Sequence, residues 1–391
     1  MSNSTDTTMT YSPTLSEEQS AIRELARDFA DNEIRPVVME YDESQEFPTS
    51  IFAKMAELGF LGVMAPEEYG GVGLGAREFT LIVEEIARVD PSMALGVAAH
   101  NGLGSGHILA FGSDALKADY IPRLASGSTM GAWGLTEPGS GSDAGGMATT
   151  ARRDGDDWIL NGAKNFITHG SVGDIAVIIA MSAPNEPPAR GASAFVLDKA
   201  MDGFSASKKE NKLGMRCSDT SSLVMEEVRV PGKNLIGEEG AGFRQALSVL
   251  DGGRISIAAL SVGLAQGALD ASIKYANERS QFGNEIARFQ GIQFKLAQMA
   301  TDVAAARQLT WRAAWLRDAG EPYGLAASQA KLFASEAAVR CAEESVQIHG
   351  GYGYIKEYPV EKYYRDAKLL TIGEGTSEIQ KIVIARHLLS S

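Results

Sequence analysis

The chain has 391 residues, 44% of them hydrophobic and 22% charged, and a formal net charge of -14. That length predicts two or three domains, and that balance is globular, not disordered. The deficit of Lys and Arg excludes a nucleic-acid groove and disfavours an anionic membrane surface, because both need surplus cations.

Residues 1–14 are polar and Ser/Thr-rich, with neither a basic nor an apolar segment, and read as a disordered tail. From Ser16 to about Gly127 the periodicity is helical. Ser16 and Gln19 have capping-box spacing, and Ile22, Leu25, Ala26 and Phe29 share one face until Pro36. Further helices are expected over 50–58, 77–89, 92–111 and 114–125, with the glycine-rich 70–75 as a loop.

Between Trp133 and Val230 the helical repeat gives way to β-rich runs at 149–153, 158–160, 175–180, 194–197 and 222–230. Asp154-Gly155 and Asn161-Gly162 are hairpin-turn residue types. A segment of roughly 100 residues leaves no room for helical crossovers, so a mostly antiparallel sheet is expected. Long Ala- and Leu-rich segments at 243–278, 289–317, 325–348 and 360–369, then a closing stretch around 379–385, predict an antiparallel helical bundle. The expected fold is mainly α with a middle β domain: tail 1–14, helical domain 15–130, β domain 131–240, helical bundle 241–391.

The five histidines and two cysteines have no metal-ligand spacing, and Cys217 and Cys341 give no sign of a disulfide framework. The longest apolar run, Ile175 to Met181, is too short to span a bilayer. A cytoplasmic protein without metal and without membrane insertion is the expectation.

Four stretches carry chemistry. Gly373-Glu374-Gly375-Thr376 sets one carboxylate between two glycines, which lets a ligand approach the backbone closely and suits a base. In isolation it reads as a turn capping a helix, and only the rest of the chain reverses that. Trp133-Gly-Leu-Thr-Glu-Pro-Gly-Ser-Gly-Ser-Asp-Ala144 formally contains GxGxxA, but Pro138 stands where a strand should feed in, so a dinucleotide fingerprint is rejected. What remains is a hydroxyl-rich loop beside an aromatic, suited to a flat polar ring. Phe166 and Thr168, two apart on a strand, can address one ligand together. The helical half contributes Asp251-Gly252-Gly253-Arg254, Arg279, Gln290 and Gln347-Ile-His-Gly350-Gly351, of which Arg279 and the glutamines supply donors suited to a pyrophosphate or an adenine edge.

Together with Leu160–Thr168, Lys212–Ser218 running to Val228–Pro231, and Glu278-Arg-Ser-Gln-Phe-Gly283, these stretches resemble the acyl-CoA dehydrogenase family over nearly the whole chain, about 15 to 388. The resemblance implies a helical domain, a β-sandwich or barrel-like domain and a four-helix bundle. It also implies an FAD enzyme that oxidises a saturated acyl-CoA to the trans-2-enoyl-CoA and passes electrons to an electron-transferring flavoprotein. Glu374 would remove the α-proton, with the β-hydrogen leaving as hydride to flavin N5. Trp133, Leu135, Thr136, Ser142, Phe166 and Thr168 would line the flavin ring. Arg279, Phe282, Gln290, Gln347, Gly350 and Gly351 would bind the adenosine diphosphate portion from a neighbouring subunit, which implies an oligomer, as a rule a tetramer. Thr376 and Glu378 would also touch FAD, and Ser142, Asp251, Arg254 and Gly375 the CoA thioester.

Phe166 stands where many members carry tryptophan, and Glu378 where some carry glutamine. Gly253 lies where a minority place the base, which leaves Glu374 alone in that role. An acyl-CoA oxidase or flavin monooxygenase on the same fold, and a non-catalytic acyl-CoA-binding scaffold, are the alternatives. The 253–267 segment is similar to that of short-chain and short-branched-chain members.

Overall fold

A computed structural model describes residues 11–389. Most of the expected tail, 1–10, lies outside the described residues, but the last part of it is docked. The Tyr11 hydroxyl bonds Gln308, its ring meets Trp315 edge-on at 5.7 Å, and Arg77 donates to the Ser12 carbonyl.

The N-terminal domain contains α1 (Glu17–Phe29), α2 (Val38–Ser44), α3 (Thr49–Glu57), α4 (Ala76–Val89), α5 (Pro91–Ala99), α6 (Gly106–Phe111) and α7 (Asp114–Ala125). The capping box at Ser16 and Gln19 forms as its spacing predicts. The helix expected over 92–111 is α5 and α6 joined by a π-helical segment, His100–Ser105, all of it buried. A run of wider turns inside a helix is a frequent mark of a functional site. α2 was not expected: chain direction changes after Pro36 instead of ending in a loop.

The β domain is one eight-stranded sheet in the order β6-β7-β3-β2-β4-β5-β8, with β1 on β4. The strands are β1 (Gly131–Gly134), β2 (Thr150–Asp154), β3 (Asp157–Thr168), β4 (Ile175–Met181), β5 (Ala192–Asp198), β6 (Phe204–Ala206), β7 (Thr220–Val230) and β8 (Leu235–Ile236), with a short α8 (Pro188–Gly191) before β5. Pairing is mostly antiparallel, but β1 and β2 lie parallel to β4 and share its second edge. β4 is buried on both faces, which explains its unbroken apolar run. Ile175, Val177 and Ile179 pack on Leu116, Tyr120 and Ile121 of α7, while Ala176, Ile178 and Ala180 meet Trp158, Phe195 and Leu223.

Asp154-Gly155 makes the expected turn, with Gly155 at φ 64, but Asn161-Gly162 does not. Gly162 sits inside β3 at a break in register, and a Cβ there would lie 2.6 Å from Thr149 Oγ1. The glycine serves a bulge and a close backbone approach, the other use of that residue in strands.

The C-terminal domain is α9 (Gly242–Glu278), a small hairpin β9 (Ser280–Gln281) and β10 (Asn284–Glu285), α10 (Gln290–Asp318), α11 (Gly324–His349), α12 (Val360–Leu370) and α13 (Ser377–Leu389). α9 is long and apolar enough to cross a membrane by length and composition, but 78% of its most apolar window is buried inside the molecule. It packs on α10 and α11 and, on its other side, on α4 and α5. One continuous core therefore joins the bundle to the N-terminal domain, from Ala26 and Ile86 to Leu260 and Leu370.

A buried ion cluster links the same parts. Lys362 on α12 bonds Asp90 at 2.7 Å and Asp366 at 2.6 Å, and Asp366 in turn accepts the Met215 backbone N–H from the β domain.

Candidate active site

Glu374 lies in the turn between α12 and α13, with φ at 52, followed by Gly375 at φ 91. A left-handed residue that is not glycine costs on the order of 1 kcal/mol and persists only where its surroundings hold it. The Gly375 carbonyl accepts from Lys331 Nζ at 2.7 Å and from Gln380 Nε2 at 2.9 Å. Thr376 Oγ1 accepts from the Ile379 N–H at 3.3 Å, so this residue caps α13 as the bland reading of the motif anticipated. Glu378, the second residue of α13, is exposed.

The carboxylate points at the middle of α9. A Cβ on Gly253 would lie 1.9 Å from Glu374 Oε2 and 3.2 Å from Leu103 Cδ2, so the carboxylate can hold this position only against glycine. Oε2 is buried and has no hydrogen-bond partner, and no acceptor is found among the described residues for the Glu374 backbone N–H. Burial pushes the Glu374 carboxyl up to about 7, with Lys331 and Arg254 pulling in the opposite direction. A carboxylate held near neutrality can take a proton at ordinary pH.

Arg254, buried one residue further along α9, is ion-paired with Asp251 and reaches Ser328 Oγ at 3.3 Å, while its Nε has no partner. The structure thus brings Asp251, Arg254, Glu374 and Gly375 to one place.

The loop after β1 is tied to β3. Lys164 Nζ donates to the Leu135 carbonyl at 3.1 Å and to Glu137 Oε1 at 2.6 Å, and the Thr136 carbonyl accepts from the Asn165 N–H at 2.8 Å. Burial alone would raise the Glu137 carboxyl, but Lys164 and bonds from Thr149 and Ala148 bring it below its ordinary value. Trp133 proves to be a strand residue, not part of the loop. Its Nε1–H donates to His107 Nδ1 at 3.0 Å, and His107 Nε2 lies 3.1 Å from Gln245 Oε1. Those bonds require the neutral Nε2–H tautomer, in keeping with burial, which pushes His107 down to about 4.

β3 bulges between Lys164 and Ile167, and Phe166 adopts φ 57. Ile167 is buried while Phe166 is 65% exposed and Thr168 half-buried, so both flanking side chains face away from the core. Ser142 is exposed, and side chains built on Gly139 and Gly141 would meet only open space.

The remaining predicted residues lie elsewhere. Arg279, Gly350 and Gly351 line a cleft of about 490 Å³ with Tyr275, His349 and Tyr352, and none of Trp133, Thr168 or Glu374 belongs to its wall. The Arg279 guanidinium lies 5.3 Å from the Tyr352 ring centroid. Phe282, at the hairpin tip with φ 52, is 93% exposed, and Gln290 and Gln347 are exposed as well.

Sequence reasoning missed His107, Gln245, Lys164, Glu137, Lys331 and Gln380. For Lys331 a signal existed: Ala327, Ala334, Ser335 and Ala338 around it on α11 are all buried, so a charge falls within a stripe of small core residues. For His107 and Gln245 the link is purely tertiary.

Family profiles for the acyl-CoA dehydrogenase N-terminal, middle and C-terminal domains match residues 16–128, 132–228 and 240–389. The chain is 44% identical over 384 residues to the mitochondrial short-chain specific acyl-CoA dehydrogenase of Rattus norvegicus, covering 98% of this chain and 93% of that one. It superposes on the butyryl-CoA dehydrogenase of Megasphaera elsdenii with a TM-score of 0.95 at 40% identity, covering 97% of this chain and 100% of the other. It superposes on a chain from the structure of the electron transferring flavoprotein of Acidaminococcus fermentans, concerned with flavin-based electron bifurcation, with a TM-score of 0.96 at 44% identity and the same coverage. With its three domains matched in order and the Glu374 carboxylate, unpartnered at Oε2, facing a glycine of α9, the chain belongs to the acyl-CoA dehydrogenase family, a family of flavoprotein oxidoreductases.

Proposed function

We propose that the chain converts a saturated, short acyl-CoA to its trans-2-enoyl-CoA, with Glu374 as the base that removes the α-proton. The observation that carries this reading is the Glu374 carboxyl itself, buried, unpartnered at Oε2 and held near pH 7. A structural carboxylate in such a place would be paired, because an unpaired buried acid destabilises the fold.

FAD fits the residues present. Open space at Gly139, Gly141, Gly350 and Gly351, outward Phe166, and the donors Thr168, Ser142 and Arg279 provide a cradle for a flat ring and for a pyrophosphate. When bound, FAD supplies the acceptor for the β-hydrogen and its electron pair, which complements the proton taken by Glu374 and leaves the double bond. Trp133, Leu135, Thr136, Phe166 and Thr168 would hold the ring, and Thr376 and Glu378 would meet the cofactor next to the base. Arg279, Phe282, Gln290, Gln347, Gly350 and Gly351 would hold its adenosine diphosphate end in a second subunit. Their separation from the base in one chain and the outward Phe282 support that division, and we take the assembly to be a homotetramer.

The Glu374 N–H, without an acceptor among the described residues, would donate to the thioester oxygen as negative charge develops there, and Arg254 would add positive charge nearby. Leu103 and Val249, in a small apolar cluster with Trp133, Phe111 and Leu250, would border the acyl tail. The two short-chain relatives support a short acyl group. We place the enzyme in the cytoplasm, with an electron-transferring flavoprotein as acceptor.

Glu374→Gln tests the reading. The variant is expected to purify yellow with FAD and to bind acyl-CoA, yet to reduce its flavin anaerobically about 10²–10⁴-fold more slowly. Normal reduction would remove Glu374 from the mechanism.

A further inference from the structure

Among the described residues three lysines are buried almost completely, and two of them have carboxylate partners. Lys164 bonds Glu137, and Lys362 bonds both Asp90 and Asp366. Lys331, with no exposed surface, differs: its hydrogen bond goes to the Gly375 carbonyl, and among the described residues it makes no ion pair. An ammonium buried without a hydrogen-bonded counterion, with Glu374 acting on it only as a nearby charge, costs several kcal/mol, so a fold that needed only a hydrogen bond here would use a neutral donor.

What Lys331 does bind is the carbonyl of Gly375, the residue after Glu374. Glu374 and Gly375 are two successive left-handed residues, at φ 52 and φ 91, and the first of them carries the carboxylate. Gln380 also bonds the carbonyl, but it belongs to the same segment, on α13. Lys331 comes from α11 and is therefore the tertiary anchor that ties the turn to the bundle. We propose that Lys331 is a positioning residue for the base: its bond to the Gly375 carbonyl clamps the turn that aims Glu374 at Gly253, and its charge keeps the carboxylate ionisable in a buried site. This rests on Glu374 being the base.

The charged groups around the carboxylate are few. α9 contributes Arg254, already paired with Asp251; α11 contributes Lys331 and, acting on that lysine, Glu336; α13 contributes Glu378. Removing the Lys331 charge leaves Arg254 as the one cation lowering Glu374's proton affinity, so the carboxyl must titrate at higher pH. Loss of an opposite charge at close range shifts a carboxylate by about one unit or more.

Lys331→Met removes charge and donor together, and Lys331→Gln removes the charge but leaves an amide donor. In the holoenzyme, the protonated-carboxyl infrared band that Glu374→Gln lacks is titrated on either side of the wild-type value near 7. The pH profile of single-turnover flavin reduction is measured in parallel. Both variants are expected to move the band and the acid limb upward by about one pH unit or more. Lys331→Met should also reduce flavin more slowly on the alkaline plateau than Lys331→Gln, because the turn is released. If Lys331→Met fails to fold, Lys331→Gln alone decides the charge effect. Wild-type titration and profile in the folded variants would overturn the proposal while leaving Glu374 as base. Normal flavin reduction by Glu374→Gln would instead overturn the reading beneath it.

Discussion

Two buried pairs of the same residue types, Glu137 with Lys164 and Glu374 with Lys331, behave in opposite ways. In both, burial pushes the lysine down to about 8. Glu137 accepts Lys164 directly at 2.6 Å together with two backbone N–H groups, and its carboxyl falls below its ordinary value. Glu374 receives no bond from Lys331, which is engaged with the next carbonyl, and its carboxyl rises to about 7. Where the lysine bonds, on the acid itself or on the carbonyl of the residue after it, together with the two N–H groups that only Glu137 receives, separates a structural salt bridge from a group poised to accept a proton. The difference lies in geometry, since composition is identical.

The largest expected effect comes from breaking the direct pair. Glu137→Gln leaves the Lys164 ammonium buried without its counterion and turns an amide NH2 toward one of the Ala148 and Thr149 N–H groups, at a cost of about 3 kcal/mol. Thermal melting should fall, and purified protein should carry less FAD, because the Leu135–Glu137 loop loses its anchor. Equal melting temperature and cofactor content would show that the pair is dispensable.

Gly253→Ala attacks the other side of the comparison. Its Cβ would displace the Glu374 carboxylate, and a base misplaced by about an ångström loses on the order of 10²-fold in rate. Single-turnover flavin reduction should show that loss while the helix itself keeps or gains stability; an unchanged rate would mean the carboxylate has room to move.

The smallest effect is thermodynamic. Glu374 binds its proton more tightly in the folded protein than when unfolded, so the folded state loses stability as pH rises from about 4.5 to about 7, and the penalty persists above that. Glu374→Gln should therefore melt a few degrees higher than wild type above pH 7 and at nearly the same temperature at about pH 4. Coincident melting curves across that range would mean that the carboxyl is not held unpartnered in solution.

Much of this organisation could be read from the residues. The change from helical to alternating and back to helical periodicity marks three domains, and Ser16 with Gln19 starts the first helix by local chemistry alone. Where reading failed, a distant partner decided the outcome. Asn161-Gly162 has turn chemistry, but pairing with β7 and close contact with Thr149 keep it inside a strand. Gly131–Gly134 looks like the start of a loop, yet β4 offers it an edge and makes it a strand. The aromatic at 133 was recognisable as a cofactor neighbour, whereas the His107–Gln245 relay that holds it spans 138 residues between its two members.

By itself the sequence determined which residue types were available: an acid between glycines, a hydroxyl-rich loop beside a tryptophan, a lysine among alanines. Whether that acid would be a salt-bridge partner or a base was decided only when α9, α11 and the turn before α13 met. Proton affinity in a buried site depends on distances to a few charges and on missing solvent, and neither is a property of neighbours along the chain.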